Sequence, residues 1–196
     1  IRDRLSEGVK KGVIWHTQGS GKTALAFSNV HFLRDYYQQI HPLNLSHLKD
    51  QIDDLVYDGH WKPFFESIAG AYHENSSIRD GMEGERNLQG FLKAYLALAS
   101  YYLVEPELEM NYGYCDFFLL PDKQRYPDIE HSYILELKYA ARTATDAELA
   151  AQAEEGRRQL HQYSEDKIAR QLAKGTTLHR LLLQFRGWEM LRCEEI

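Results

Sequence analysis

Cysteine is scarce. The 196 residues hold two, Cys115 and Cys193, and they form no CxxC pair. A zinc site built on paired thiolates is not indicated, nor is a disulfide framework. A reducing, cytoplasmic setting is expected. Long apolar runs are missing as well: none approaches the ~20 residues that span a bilayer. No charged-then-apolar leader opens the chain. The nine histidines are scattered, without HxxxH or HExxH spacing, which argues against a histidine-based metal site. An excess of basic charge is also lacking. With 23 Lys and Arg against 29 Asp and Glu, the formal net charge is −6, where nucleic-acid-binding domains are more often basic.

The charge is unevenly spread. Residues 1–60 carry 7 basic and 7 acidic side chains, residues 61–137 carry 6 and 13, and residues 138–196 carry 10 and 9. The acidic surplus lies in the middle segment, either as a solvated face or as a set that includes metal ligands. The hydrophobic fraction of 43% is ordinary for a globular chain with a sizeable core.

Along the chain, residues 12–16 (GVIWH) form a short apolar run, followed by a Gly-rich turn and an amphipathic stretch to His41-Pro42. Leu45, Leu48, Ile52, Leu55 and Val56 make a helical stripe closed by Asp58-Gly59, and residues 61–72 make another. Residues 75–84 are polar and Gly-containing, and a domain boundary is set at 75/76. From residue 85 the pattern sharpens. Residues 85–103 read as one long helix, with Pro106 as its stop. Residues 107–111, 114–121 and 132–140 read as strands, 146–173 as a long helix interrupted only by Gly156, and 178–187 as a further strand. Three successive strands predict antiparallel pairing, and strand–helix–strand predicts a parallel crossover. The expected fold is α/β: an α-β-β-β-α-β mixed sheet flanked by helices, behind a mainly helical N-terminal segment.

The chemistry centres on ILELK. Alternation along a strand puts Glu136 and Lys138 on one face. Burying an acid and a base there without partners is costly. Asp116 sits in the preceding strand, again an acid inside an apolar run. If the two strands pair, Asp116 and Glu136 lie side by side and repel unless a proton or a cation separates them. A hard divalent cation such as Mg²⁺ fits two carboxylates plus phosphate and water, and Lys138 is placed to orient or activate the attacking water. The competing reading is a structural Glu136–Lys138 pair.

These residues resemble the PD-(D/E)XK nuclease superfamily over about residues 85–196. The resemblance implies Asp116 and Glu136 as metal ligands for Mg²⁺ or Mn²⁺, Lys138 as catalytic, and Glu85, opening the first core helix, as a further metal acid. Gln159 and Tyr163 match the QxxxY motif of the RecB-like branch. NLQGFLKAYLAL, PELEMNYGYCDFFLLPD and HSYILELKYA are similar to the nuclease domain that follows an AAA-ATPase-like domain in many bacterial proteins. A restriction-endonuclease-like core is implied, with DNA as substrate, and a second copy or a larger ATPase or restriction protein as partner. A literal Pro127-Asp128 makes Asp128 the alternative acid, in a loop rather than a strand.

WHTQGSGKT is similar to the phosphate loop of type I restriction enzyme R subunits over about twelve residues. Gly19, Gly21, Lys22 and Thr23 are the phosphate-holding positions, but His16 stands where the full motif has its first glycine. The acidic strand end that a motor needs has only Asp54–Asp58 as a faint counterpart. ATP hydrolysis is therefore not expected, and at most a nucleotide phosphate, phosphate or sulfate would bind there.

Overall fold

The computed structural model describes residues 45–76, 84–98, 100–110 and 113–196. The chain divides between Leu45 and Ser46 into two units, and the second, Ser46–Ile196, contains the whole sheet. Helix α1 (Leu45–Asp53) runs into a π-helical turn (Asp54–Asp58). Leu55 and Val56 of that turn are buried, and Gly59, at φ 69°, donates its N–H to the Asp54 carbonyl and ends it. Helix α2 (Lys62–Ser76) follows, then α3 (Glu85–Leu96). The sheet strands are β1 (Tyr102–Met110), β2 (Gly113–Pro121), β3 (His131–Ala140), β4 (Thr177–Arg186) and β5 (Glu189–Glu195). Helices α4 (Asp146–Glu165) and α5 (Lys167–Leu172) lie between β3 and β4 in the chain.

The five strands form one sheet in the order β1-β2-β3-β4-β5. β1–β2 and β2–β3 are antiparallel, β3–β4 is parallel, and β4–β5 is antiparallel. The mixed sheet with helices against it is the expected α/β architecture, including the parallel crossover.

Strand alternation gives each sheet face its own cover. Ile134 and Leu182 pack with Ala153, Leu160 and Tyr163 of α4, together with Cys115 and Phe118 of β2. On the other face the Tyr133 hydroxyl donates to the Leu55 carbonyl at 2.6 Å, and Phe185 meets the Tyr72 ring of α2 edge-on. Residues 46–76, which the sequence pattern places in the N-terminal segment, lie in the same unit as the sheet. The Trp61 indole donates to Glu195 of β5, and the Tyr101 hydroxyl donates to Asp53.

Three local features depart from the sequence reading. The helix expected over 85–103 ends at Leu96, and β1 begins at Tyr102. Tyr102 is buried and its hydroxyl donates to the His131 carbonyl, so burial against the sheet outweighs a continued helical stripe. Pro106 thus lies inside β1, which among the described strands pairs with β2 alone, where an edge strand tolerates a missing N–H. The helix expected over 146–173 breaks at Asp166. That residue adopts an extended conformation and its carboxylate accepts from Ile168 N–H, capping α5. β5 was not expected.

Candidate active site

Asp116 and Glu136 stand opposite one another where β2 and β3 part. The ladder between these strands pairs Leu119–Phe117 with Tyr133–Leu135. Its next step would set Asp116 against Glu136. There the Asp116 side chain takes over: its Oδ2 accepts the Leu137 N–H at 2.7 Å. A carboxylate substitutes for a backbone acceptor, which wedges it between the strands beside the next residue's acid.

Glu136 is only 3% exposed. One oxygen, Oε1, accepts from Lys138 Nζ at 2.7 Å. The other, Oε2, is buried and has no hydrogen-bond partner. Burial, followed by the neighbouring Asp116 charge, raises the Glu136 pKa to about 7 against the pull of Lys138. Asp116 is shifted the same way: burial raises its pKa, Leu137 N–H and Lys138 oppose it, and the Glu85 charge adds to the rise. Two neighbouring carboxylates, one buried and one half-buried, both resisting ionisation, and one buried oxygen left orphaned are the features a cation would resolve.

Lys138 has a second acceptor, Gln159 Oε1, at 2.6 Å. Helix α4 brings it. One turn on, the Tyr163 hydroxyl bonds to the Gln159 side chain and donates to the Tyr114 carbonyl at 2.8 Å. With its oxygen taken by Lys138, the Gln159 amide has its nitrogen left for the Tyr163 hydroxyl. The i, i+4 spacing of Gln159 and Tyr163 puts both on one helix face, and the strand carbonyl of Tyr114 anchors the pair. Lys138 thus spends two of its three donors on Glu136 and Gln159.

Gly156 allows the approach. A Cβ there would stand 2.6 Å from Leu182 Cδ1 and 3.3 Å from Lys138 Cε. The sequence showed this glycine only as a breaker. Gln89 of α3 was also missed: its Nε2 donates to Asp116 Oδ1 at 3.2 Å. No motif marks it, and its contact joins elements 27 residues apart.

The other anticipated residues fall in different places. Glu85 is exposed at the start of α3. Its charge reaches Asp116, but among the described residues no group of three or more His, Cys, Asp or Glu side chains converges tightly enough to hold a metal. Asp128 is exposed in the β2–β3 connection, at the far end of β3 from Glu136, so it does not meet the other acids. Gly19, Gly21, Lys22 and Thr23 lie outside the described residues. Of the late basic residues, Arg157 pairs with Glu154 and Glu194, Arg158 with Glu155 and Gln162, and Arg170 with Glu165. Arg142 lies over the Trp188 ring. No helix of the described residues is long and apolar enough to cross a membrane.

A mixed sheet that parts around paired acids, with a lysine two residues along the same strand, defines a nuclease-type α/β domain of restriction-endonuclease-like fold. The family model of the PD-(D/E)XK nuclease superfamily matches residues 83–195, more than half of the chain, and the chain belongs to that superfamily. No curated protein and no solved structure matches it.

Proposed function

We propose that this domain is a Mg²⁺- or Mn²⁺-dependent deoxyribonuclease that hydrolyses phosphodiester bonds, acting in the cytoplasm within a restriction or defence system. The observation that carries the reading is the Glu136 carboxylate: buried, one oxygen on Lys138, the other without a partner, and Asp116 beside it. Asp116 and Glu136 would hold the cation, with Glu85 one helix turn before Gln89 as an outer acid. The donor set is all oxygen, which suits a hard cation keeping waters and a substrate phosphate. When bound, the ion supplies charge neutralisation at phosphorus and a water of lowered pKa.

The chain's own residues do the rest. Lys138, steadied by Glu136 and Gln159, keeps one N–H for a phosphate oxygen or the attacking water. Developing negative charge at phosphorus is stabilised by this ammonium in a poorly solvated site. Tyr163 keeps the Gln159 amide turned toward Lys138. Gln159 and Tyr163 in these positions also support a RecB-like affinity.

The test is cleavage of linear and supercoiled DNA with Mg²⁺ or Mn²⁺ by the full chain and by Asp116→Asn and Lys138→Ala. Both variants should lose at least ~10²-fold, the low end of what a positioned acid–base group contributes. Undiminished cleavage by both sinks the proposal. A non-catalytic binding module that keeps the nuclease fold is the second reading, favoured by the Glu136–Lys138 ion pair, which gives both groups a structural partner. DNA binding with intact fold and no cleavage under either metal would establish it.

A further inference from the structure

Asp116 is held from two directions. Leu137 N–H takes Oδ2, and the Gln89 amide takes Oδ1. The first bond alone would leave the carboxylate free to swing, since the terminal torsion of aspartate is soft and roughly two-fold. The second bond removes that freedom, and it comes from α3, an element that supplies no other hydrogen bond to the acids among the described residues. Gln89 is neutral: it donates without cancelling the charge, so Asp116 stays available to a cation. A lysine or arginine at this point would compete with that cation.

The same bond has a second effect. Gln89 lies four residues after Glu85, so the two share a face of α3. Docking Gln89 onto Asp116 brings the Glu85 end of the helix toward the acids, near enough for its charge to be felt there.

We propose that Gln89 is a positioning residue of the metal centre, fixing the rotation of the Asp116 carboxylate and docking the Glu85 end of α3 beside it. This inference rests on the nuclease reading of the site. Outer-sphere partners of ligating carboxylates typically cost 10–100-fold in metal affinity when removed. The experiment is calorimetric titration of the full chain with Mn²⁺ at pH 7.5, with DNA cleavage measured alongside, for the parent, Gln89→Leu, Gln89→Asn and Lys138→Ala. Leucine keeps the bulk without the donor, and asparagine keeps the amide but falls one methylene short. Both should bind Mn²⁺ about 10–100-fold more weakly, with melting temperatures near the parent's because Gln89 is only half-buried. Lys138→Ala should lose cleavage while still binding metal. If both Gln89 variants bind Mn²⁺ as tightly as the parent, or differ only in melting temperature, the positioning role is overturned while Lys138-dependent cleavage leaves the nuclease reading standing. If the parent binds no Mn²⁺, both fall together.

Discussion

Glu136 is kept out of water by the sheet it belongs to, and among the described residues only Lys138 offsets its charge. Its raised pKa carries a sign. In the metal-free protein the folded state holds the Glu136 proton more tightly than the unfolded chain does, between about 4.5 and about 7. Stability from this group is therefore present at low pH and lost as pH rises through that window. Cation binding must displace the same proton, so Mn²⁺ affinity should rise by roughly tenfold per pH unit below 7 and level off above it. Calorimetry at pH 5.5, 6.5 and 7.5 checks this, and affinity independent of pH would contradict it. Tyr163→Phe removes the anchor of Gln159 and leaves a strand carbonyl short of a partner. It should cost ~1–3 kcal/mol of stability by denaturant titration and lower turnover less than Lys138→Ala does.

At the scale of elements, the contact between α4 and the sheet depends on Gly156. Gly156→Ala gains helix propensity, ~1 kcal/mol, but drives a methyl into Leu182, which is buried and cannot swing away. Overpacking of this kind costs ~1–3 kcal/mol. Because the helix must back off from Lys138, the variant should lose activity out of proportion to its stability loss, measured by melting and cleavage together. A second chain of contacts ties the opposite end of the sheet. His131 Nδ1 and His179 Nε2 are 2.9 Å apart, and His179 Nδ1 meets Glu195 at 2.8 Å. Burial, then the neighbouring His179, lowers the His131 pKa, opposed by the Tyr57 backbone, Glu130 and Asp58. The folded state then binds this proton less well than the unfolded chain, so stability is lost as pH falls below about 6.5. This slope opposes that of Glu136. Glu136→Gln should expose it: melting temperature in that variant should drop from pH 7.5 to 5, and His131→Gln added to it should flatten the curve.

Much of this was legible at the level of elements that carry apolar alternation. YCDFFLLP and SYILELKYA fall on β2 and β3, and LHRLLLQFR on β4, since each carries a run of consecutive buried residues covered on both sheet faces. β5 was not, because none of its residues is buried; it is recruited by pairing with β4 rather than by its own pattern. The start of β1 was hidden because YYLV suits a helix stripe as well as a strand, and only the burial of Tyr102 decides. In the site, Asp116, Glu136 and Lys138 were readable as charges inside apolar strands, and Gln159 with Tyr163 as a helix-face pair. Gln89 and the tight passage at Gly156 were not, because their roles exist only once α3 and α4 meet the sheet.

For the molecule as a whole, charge limits how nucleic acid would be held. The chain carries a net −6, and Arg157, Arg158 and Arg170 are already engaged with carboxylates on or next to α4. Few phosphates can be neutralised without breaking such pairs. DNA binding should therefore be weak, and its log–log salt dependence no steeper than about −3, corresponding to ~3 phosphate contacts. A steep slope would mean that a basic surface elsewhere in the chain dominates.

The central claim is that Asp116 and Glu136 form one cation site. Its most direct test is a crystal of the full chain grown with Mn²⁺ and measured for anomalous scattering. A peak bound by Asp116 and Glu136 at ~2.1 Å is expected, and it should be lost in Glu136→Gln. No peak between these carboxylates at saturating Mn²⁺, with the Lys138–Glu136 contact unchanged, would contradict it.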